Sequence, residues 1–175
     1  MREEKKQLIK RNIVYVLLLS AAFLIETTFG FMPQIGSAKL LPMLPLLSCI
    51  CMFEKENFAP WYGLGCGFLM DMVSPSMVGY HALILLAVCT FIGWISSNYL
   101  RNTLLTNLLS GSVLIFLNQS LYWLFFIEFK QTGGATGIYF SKFLPTILIN
   151  IVLIIPFFFI VLAVKKRFKE KKEEF

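Results

Sequence analysis

The sequence predicts an all-α integral membrane protein of six transmembrane helices with both termini in the cytoplasm. Three observations carry that prediction. Only 15% of the 175 residues are charged while 57% are hydrophobic, and the mean hydropathy is +0.72, which leaves too little charge to cover a soluble domain of this length. The apolar residues fall in runs of 16 to 26, bilayer-spanning lengths at about 1.5 Å per residue. Finally, Lys and Arg are distributed unevenly about those runs, which sets the orientation.

The first run, residues 12–32, follows Arg2, Lys5, Lys6, Lys10 and Arg11 and contains Glu26. A basic start ahead of an apolar core also fits a cleaved secretory signal, but the run continues to Met32, longer than a signal core requires, so a retained span is expected. Pro33, Gly36 and Ser37 end it. Span 2, residues 38–53, is short; Pro42 suits a first helical turn, whereas Pro45 is expected to cost a backbone hydrogen bond or set a bend. After the polar turn Glu54–Asn57, span 3 covers residues 58–73 with Pro60 in its first turn. Ser74-Pro75-Ser76 turns the chain into span 4, residues 79–99, where Thr90, Gly93 and Ser97 make a small-residue stripe. Span 5, residues 103–128, carries Asn107, Gly111, Leu114 and Asn118 along one stripe. The Gly- and Thr-rich stretch 130–141 is the longest loop. Span 6, residues 143–164, contains Asn150, and Pro156 is expected to bend it. The whole chain, 1–175, reads as a single polytopic membrane domain.

With both termini inside, 13 Lys and Arg residues lie on the cytoplasmic side and 3 (Lys39, Lys130, Lys142) outside, the asymmetry expected of this topology. Trp61, Tyr62, Trp94 and Tyr99 then sit near the inner interface, and Tyr122, Trp123 and Tyr139 near the outer one. The net charge of +6 reflects terminal anchors, with no basic patch interleaved with aromatics, so nucleic acid is not an expected partner. The basic tail from Lys165 to Lys172 reads first as an anchor for the last span; its other reading is attraction to anionic lipid or to a cytoplasmic partner. Cys49, Cys51, Cys66 and Cys89 all fall within apolar runs and read as reduced thiols acting as small hydrophobes. His81 is the only histidine and stands outside ligand spacing with them, so no metal and no cofactor are expected.

The chain is organised around Ala59–Asp71. On a helix Gly63, Gly67 and Asp71 recur every four residues and share one face, and glycines on such a face let another helix approach closely. An aspartate at the centre of a span costs about 2.5–3.5 kcal/mol, less toward the interface, and the C-terminal end of a helix is electrostatically unfavourable for it. Asp71 therefore needs a counterpart. One reading has it accept backbone N–H groups from the Ser74–Gly79 turn and pin spans 3 and 4 together. The other makes it a ligand for an ion, a substrate or a partner protein. Glu26, in the outer half of span 1, reaches the interface or pairs with Lys39, and a proton relay would need Asp71 close by. His81 reads as an interfacial residue satisfied by water. No paired carboxylates, nucleophile–base pair or phosphate-binding loop is visible, so no enzymatic activity is expected.

The run Tyr62-Gly63, then Gly67-Phe68-Leu69-Met70-Asp71, a short turn with Gly79 and a further apolar span resembles the rod shape-determining protein MreD family. The resemblance extends to chain size and to the proline-bearing second span; Met70 stands where leucine or tyrosine is more usual. It implies a non-enzymatic multi-pass component of the bacterial cytoplasmic membrane, part of the elongasome, supporting peptidoglycan synthesis and regulation of cell shape. The implied partners are an MreC-like single-span membrane protein, a RodA-type glycosyltransferase, a penicillin-binding transpeptidase and the actin-like MreB. Gly63, Gly67, Asp71, Gly79 and Glu26 are the candidate structural or partner-interface residues. The family fold also resembles the substrate-binding subunit of energy-coupling-factor transporters, which supplies the alternative of a vitamin-type transporter subunit. Against that alternative, span 1 lacks an Ala-x-x-x-Ala docking pattern, and Asn118, Gln119 and Asn150 are few polar groups from which to build a pocket.

Overall fold

The computed structural model describes residues 2–28, 38–54, 58–74, 79–98, 102–128, 137 and 139–168. The connecting segments expected around Pro33–Ser37, at 55–57, around Pro75 and over most of 130–141 lie outside them. The described elements are helical: α1 (Arg2–Thr27), α2 (Met43–Phe53), α3 (Ala59–Val73), α4 (Tyr80–Asn98), α5 (Leu104–Trp123) and α6 (Leu144–Arg167). A π turn, Leu124–Glu128, extends α5, and another, Tyr139–Phe143, leads into α6.

Among the described residues, four stretches are long and apolar enough to cross a bilayer: Lys6–Thr27, Tyr80–Asn98, Leu104–Phe126 and Tyr139–Arg167. The remaining two helices are shorter. At about 1.5 Å per residue, the 11 residues of α2 and the 15 of α3 fall short of a hydrocarbon core of about 30 Å. α1 starts well before the apolar run, because the Glu, Lys, Gln and Arg of residues 2–11 are good helix formers that carry the helix beyond the apolar stretch.

α2 is the hub of the bundle. Every one of its residues is buried, and it packs against α1, α3, α4, α5 and α6. The expected second span is corrected at its start. Helix begins at Met43 and not at Ala38, so Pro45 occupies the third helical position, where no intrahelical N–H bond exists to be lost. The lost bond predicted for Pro45 does not arise, the first bond of the helix running from the Leu46 N–H to the Pro42 carbonyl. The residues ahead of it form an extended strap sewn onto α6: Asn150 Oδ1 accepts the Leu41 N–H at 2.7 Å, Asn150 Nδ2 donates to the Lys39 carbonyl at 3.1 Å, and Thr146 Oγ1 accepts the Lys39 N–H at 3.1 Å.

The stripe read in span 5 is the buried face of α5, where Asn107, Gly111, Leu114 and Asn118 all point inward. A Cβ at Gly111 would lie 2.7 Å from Ile154 Cδ1 and 2.8 Å from Ser48 Oγ, so this glycine sets the approach of α5 to α2 and α6. The stripe read in span 4 is corrected. Gly93 is buried but Thr90 and Ser97 are exposed; the inward face runs through His81, Leu85, Cys89 and Ile92, one helical position around from the predicted line. Trp61 and Trp94 face outward from the bundle, whereas Tyr62 is buried, edge-on to Tyr15 with ring centroids 6.3 Å apart. The four cysteines are free and buried.

At the end of the bundle that carries Arg11, Glu54 and Lys165, a polar clasp ties the short hub to the long outer helices. Arg11 Nη2 donates to Glu54 Oε2 at 2.9 Å, and Nε lies 2.9 Å from Oε1. Lys165 Nζ donates to the Phe53 carbonyl at 3.2 Å. The Glu54 side chain is only 1% exposed, and that of Arg11 12%. Removing one partner leaves a buried charge without compensation, which is costlier than the pair is stabilising. Glu54→Ala is therefore expected to destabilise by about 2 kcal/mol, softened by the residual hydration of Arg11. The double variant Arg11→Met/Glu54→Leu should recover most of that loss in thermal unfolding of the detergent-solubilised protein.

Candidate functional site

At the opposite end, α3 and α4 form a tightly closed hairpin. A Cβ at Gly67 would fall 2.3 Å from Ala82 Cα, 2.5 Å from Ala82 N and 2.6 Å from the His81 carbonyl carbon. At Gly63 it would meet the Leu85 carbonyl oxygen at 2.6 Å and the Cys89 side chain at 2.9 Å. Gly65, on the other side of α3, has nothing within 4 Å. The helices thus touch backbone to backbone along the Gly63–Gly67 line, inside one chain.

Asp71 continues that line and is 3% exposed. Its Oδ2 accepts the N–H groups of Gly79 at 2.9 Å and Ala82 at 3.1 Å, and its Oδ1 accepts that of His81 at 3.0 Å. These are first-turn donors of α4, groups with no partner inside their own helix. The carboxylate therefore sits at the positive end of the α4 dipole, which offsets its unfavourable place at the end of α3. Gly79 takes φ +97°, a left-handed value that L side chains resist; with it, the Gly79 N–H reaches back to Asp71.

His81 is corrected from an interfacial residue to a buried one, 5% exposed. Its Nδ1 lies 3.2 Å from Asn118 Oδ1 on α5, and its ring stacks on Tyr122 with centroids 5.5 Å apart. The hairpin is thereby coupled to α5, and the position of His81 is set by Asp71 on its own N–H. Beside it opens a cavity of about 380 Å³, to which α1, the strap, α3, α4, α5 and α6 all contribute. Its lining includes Glu26, Lys39, His81, Asn118, Gln119, Tyr122, Lys142 and Thr146, alternating with Phe23, Leu41, Met70 and Val73. Glu26 Oε2 is buried and has no hydrogen-bond partner among the described residues.

Of the sequence candidates, Gly63, Gly67, Asp71 and Gly79 come together in the hairpin, and Glu26 lines the cavity from α1, where Lys39 is its charged neighbour, as one of its sequence readings has it. The expectation that polar groups are too few for a pocket is corrected, because Lys39, Lys142 and Thr146 join Asn118 and Gln119 there. No spacing could reveal this, since the contributors come from six separate segments. Among the described residues, no group of three or more His, Cys, Asp or Glu side chains is arranged to hold a metal ion.

A helical bundle with four bilayer-length apolar stretches among the described residues, with one polar clasp and one polar-lined cavity at opposite ends, defines a multi-pass membrane protein. The family model described as rod shape-determining protein MreD matches residues 9–168, and the chain belongs to that family. No curated protein and no solved structure gives a significant match.

Proposed function

We propose that this protein is a non-enzymatic scaffold of the bacterial cell-elongation machinery, set in the cytoplasmic membrane and binding an MreC-like single-span protein. In this role it supports peptidoglycan synthesis and cell shape beside RodA-type glycosyltransferase, transpeptidase and MreB components. Family membership over residues 9–168 is the observation that carries the reading. All six helices belong to the membrane domain in this view, with both termini inside. Gly63, Gly67, Asp71 and Gly79 serve the partner indirectly, by making α3–α4 one rigid unit whose outward side chains Trp61, Leu64 and Phe68 keep a fixed register.

Depletion in a rod-shaped host is expected to give rounded cells, and the tagged chain should co-purify with a single-span MreC-like protein. Full depletion with rod shape intact would overturn the proposal. The cavity favours a second reading, a small-molecule transporter subunit. That reading predicts a tightly held vitamin in the purified chain and normal shape on depletion.

A further inference from the structure

We propose that the cavity beside His81 binds the head group of a membrane phospholipid that carries an N–H or O–H donor next to its phosphate, an ethanolamine or glycerol head and not choline. The inference does not depend on the scaffold reading.

Size comes first: about 380 Å³ lies at the lower end of the roughly 300–1,000 Å³ of small-molecule pockets, room for a head group but not for a whole lipid. Depth comes second. Tyr122 lines the cavity, and Trp123 packs on Tyr139 close by with ring centroids 4.9 Å apart. Such aromatic groupings mark the head-group level of a bilayer, so the mouth opens where phosphates lie.

The charges then specify the chemistry. Lys39 and Lys142 are exposed at the cavity; Lys39 faces Glu26 without closing to ion-pair distance, and both ammonium groups are therefore placed to take a phosphate. Glu26 disfavours a bare anion: the Lys39 charge and the Met43 N–H act on its carboxylate, but its buried Oε2 has no hydrogen-bond donor among the described residues, and a phosphate alone would supply none. A carboxylate oxygen held within a spanning helix needs a donor. The occupant must therefore bring an anion for the lysines and a donor for Glu26 in one small unit. Gln119, 9% exposed and without a hydrogen bond among the described residues, can serve both ends of such a head. Phosphatidylethanolamine and phosphatidylglycerol meet this requirement; phosphatidylcholine has the phosphate but no donor hydrogen.

The test is native mass spectrometry of the full chain, delipidated in detergent and offered each of the three phospholipids separately. One phosphatidylethanolamine or phosphatidylglycerol should be retained per chain, with phosphatidylcholine held roughly tenfold more weakly, the size of one lost charge-assisted contact. Lys39→Ala/Lys142→Ala should lower retention by roughly tenfold or more while leaving the lipid-free unfolding temperature unchanged, both side chains being exposed. Glu26→Gln should reduce phosphatidylethanolamine more than phosphatidylglycerol, since only the former brings a cation. Equal retention of phosphatidylcholine, or retention unaffected by the double lysine variant, would overturn the assignment. Displacement of bound lipid by an equal concentration of soluble glycerophosphoethanolamine would overturn it too, in favour of a water-soluble ligand.

Discussion

Gly67→Leu is expected to destabilise the fold severely, while Gly65→Leu, two positions away, leaves it intact. The contrast follows from what each new side chain would meet. At Gly67 the nearest atoms are backbone, Ala82 Cα at 2.3 Å and Ala82 N at 2.5 Å from the position of a Cβ, against an ordinary carbon–carbon contact of about 3.5–4.0 Å. Backbone cannot rotate aside as a side chain can, so α3 and α4 must separate by more than an ångström. Overpacking in a core costs about 1–3 kcal/mol when side chains can adapt. Here the separation would also stretch the Asp71 contacts one turn further along, so a loss of about 4 kcal/mol or more is expected, a large share of a typical stability of about 5–15 kcal/mol. Gly63→Ala should fall between, because one of its two contacts is the Cys89 side chain. At Gly65 there is open space, and Gly65→Ala should even gain up to about 1 kcal/mol of helix propensity. Size-exclusion profiles and unfolding temperatures in detergent decide the matter. A Gly67→Leu protein as stable as the parent would mean the two helices do not meet along this line.

What the sequence disclosed, and what it hid, has a physical pattern. The hairpin was legible because its parts are local: Gly63, Gly67 and Asp71 repeat at helical spacing, and Gly79 lies eight residues on, within reach of a turn. The inward stripe of α5 was legible for the same reason. The centrality of α2 was not, since a helix buried all round has no polar face to set a period; Met43–Phe53 looks like any short apolar run. Long-range pairs were equally hidden. Arg11 reads as one more cytoplasmic anchor until Glu54, 43 residues away, is placed against it. His81 was misplaced because its depth depends on Asn118 and Tyr122, residues of another helix. The same holds for the cavity, where Lys39 and Lys142 meet only after the strap is sewn to α6 through Asn150.

Asp71→Ala is the second large effect expected, and its comparison with Asp71→Asn separates charge from hydrogen bonding. The carboxylate satisfies three first-turn donors of α4, those of Gly79, His81 and Ala82, at 2.9 to 3.1 Å. Alanine leaves all three without an acceptor, in a part-buried place beside the cavity where water can replace it only in part. Hydrogen bonds to a charged group contribute about 1.5–3 kcal/mol each, and an N-cap replaced by alanine costs about 0.5–2 kcal/mol. These terms overlap, so about 3–5 kcal/mol is expected for Asp71→Ala. Asparagine keeps one carbonyl oxygen, enough for one or two of the donors, but turns an amide toward the rest and forfeits the interaction with the α4 dipole; roughly half the loss is expected. The order of unfolding temperatures should therefore be parent, Asp71→Asn, Asp71→Ala. Gly79→Ala tests the same capping from the other side, since holding alanine at φ +97° costs about 1–2 kcal/mol without touching the carboxylate. If Asp71 were kept for its charge alone, Asp71→Asn and Asp71→Ala would be equally harmful and Gly79→Ala harmless to Asp71-dependent stability. A graded series, with Gly79→Ala adding little on top of Asp71→Ala, is what a shared cap requires.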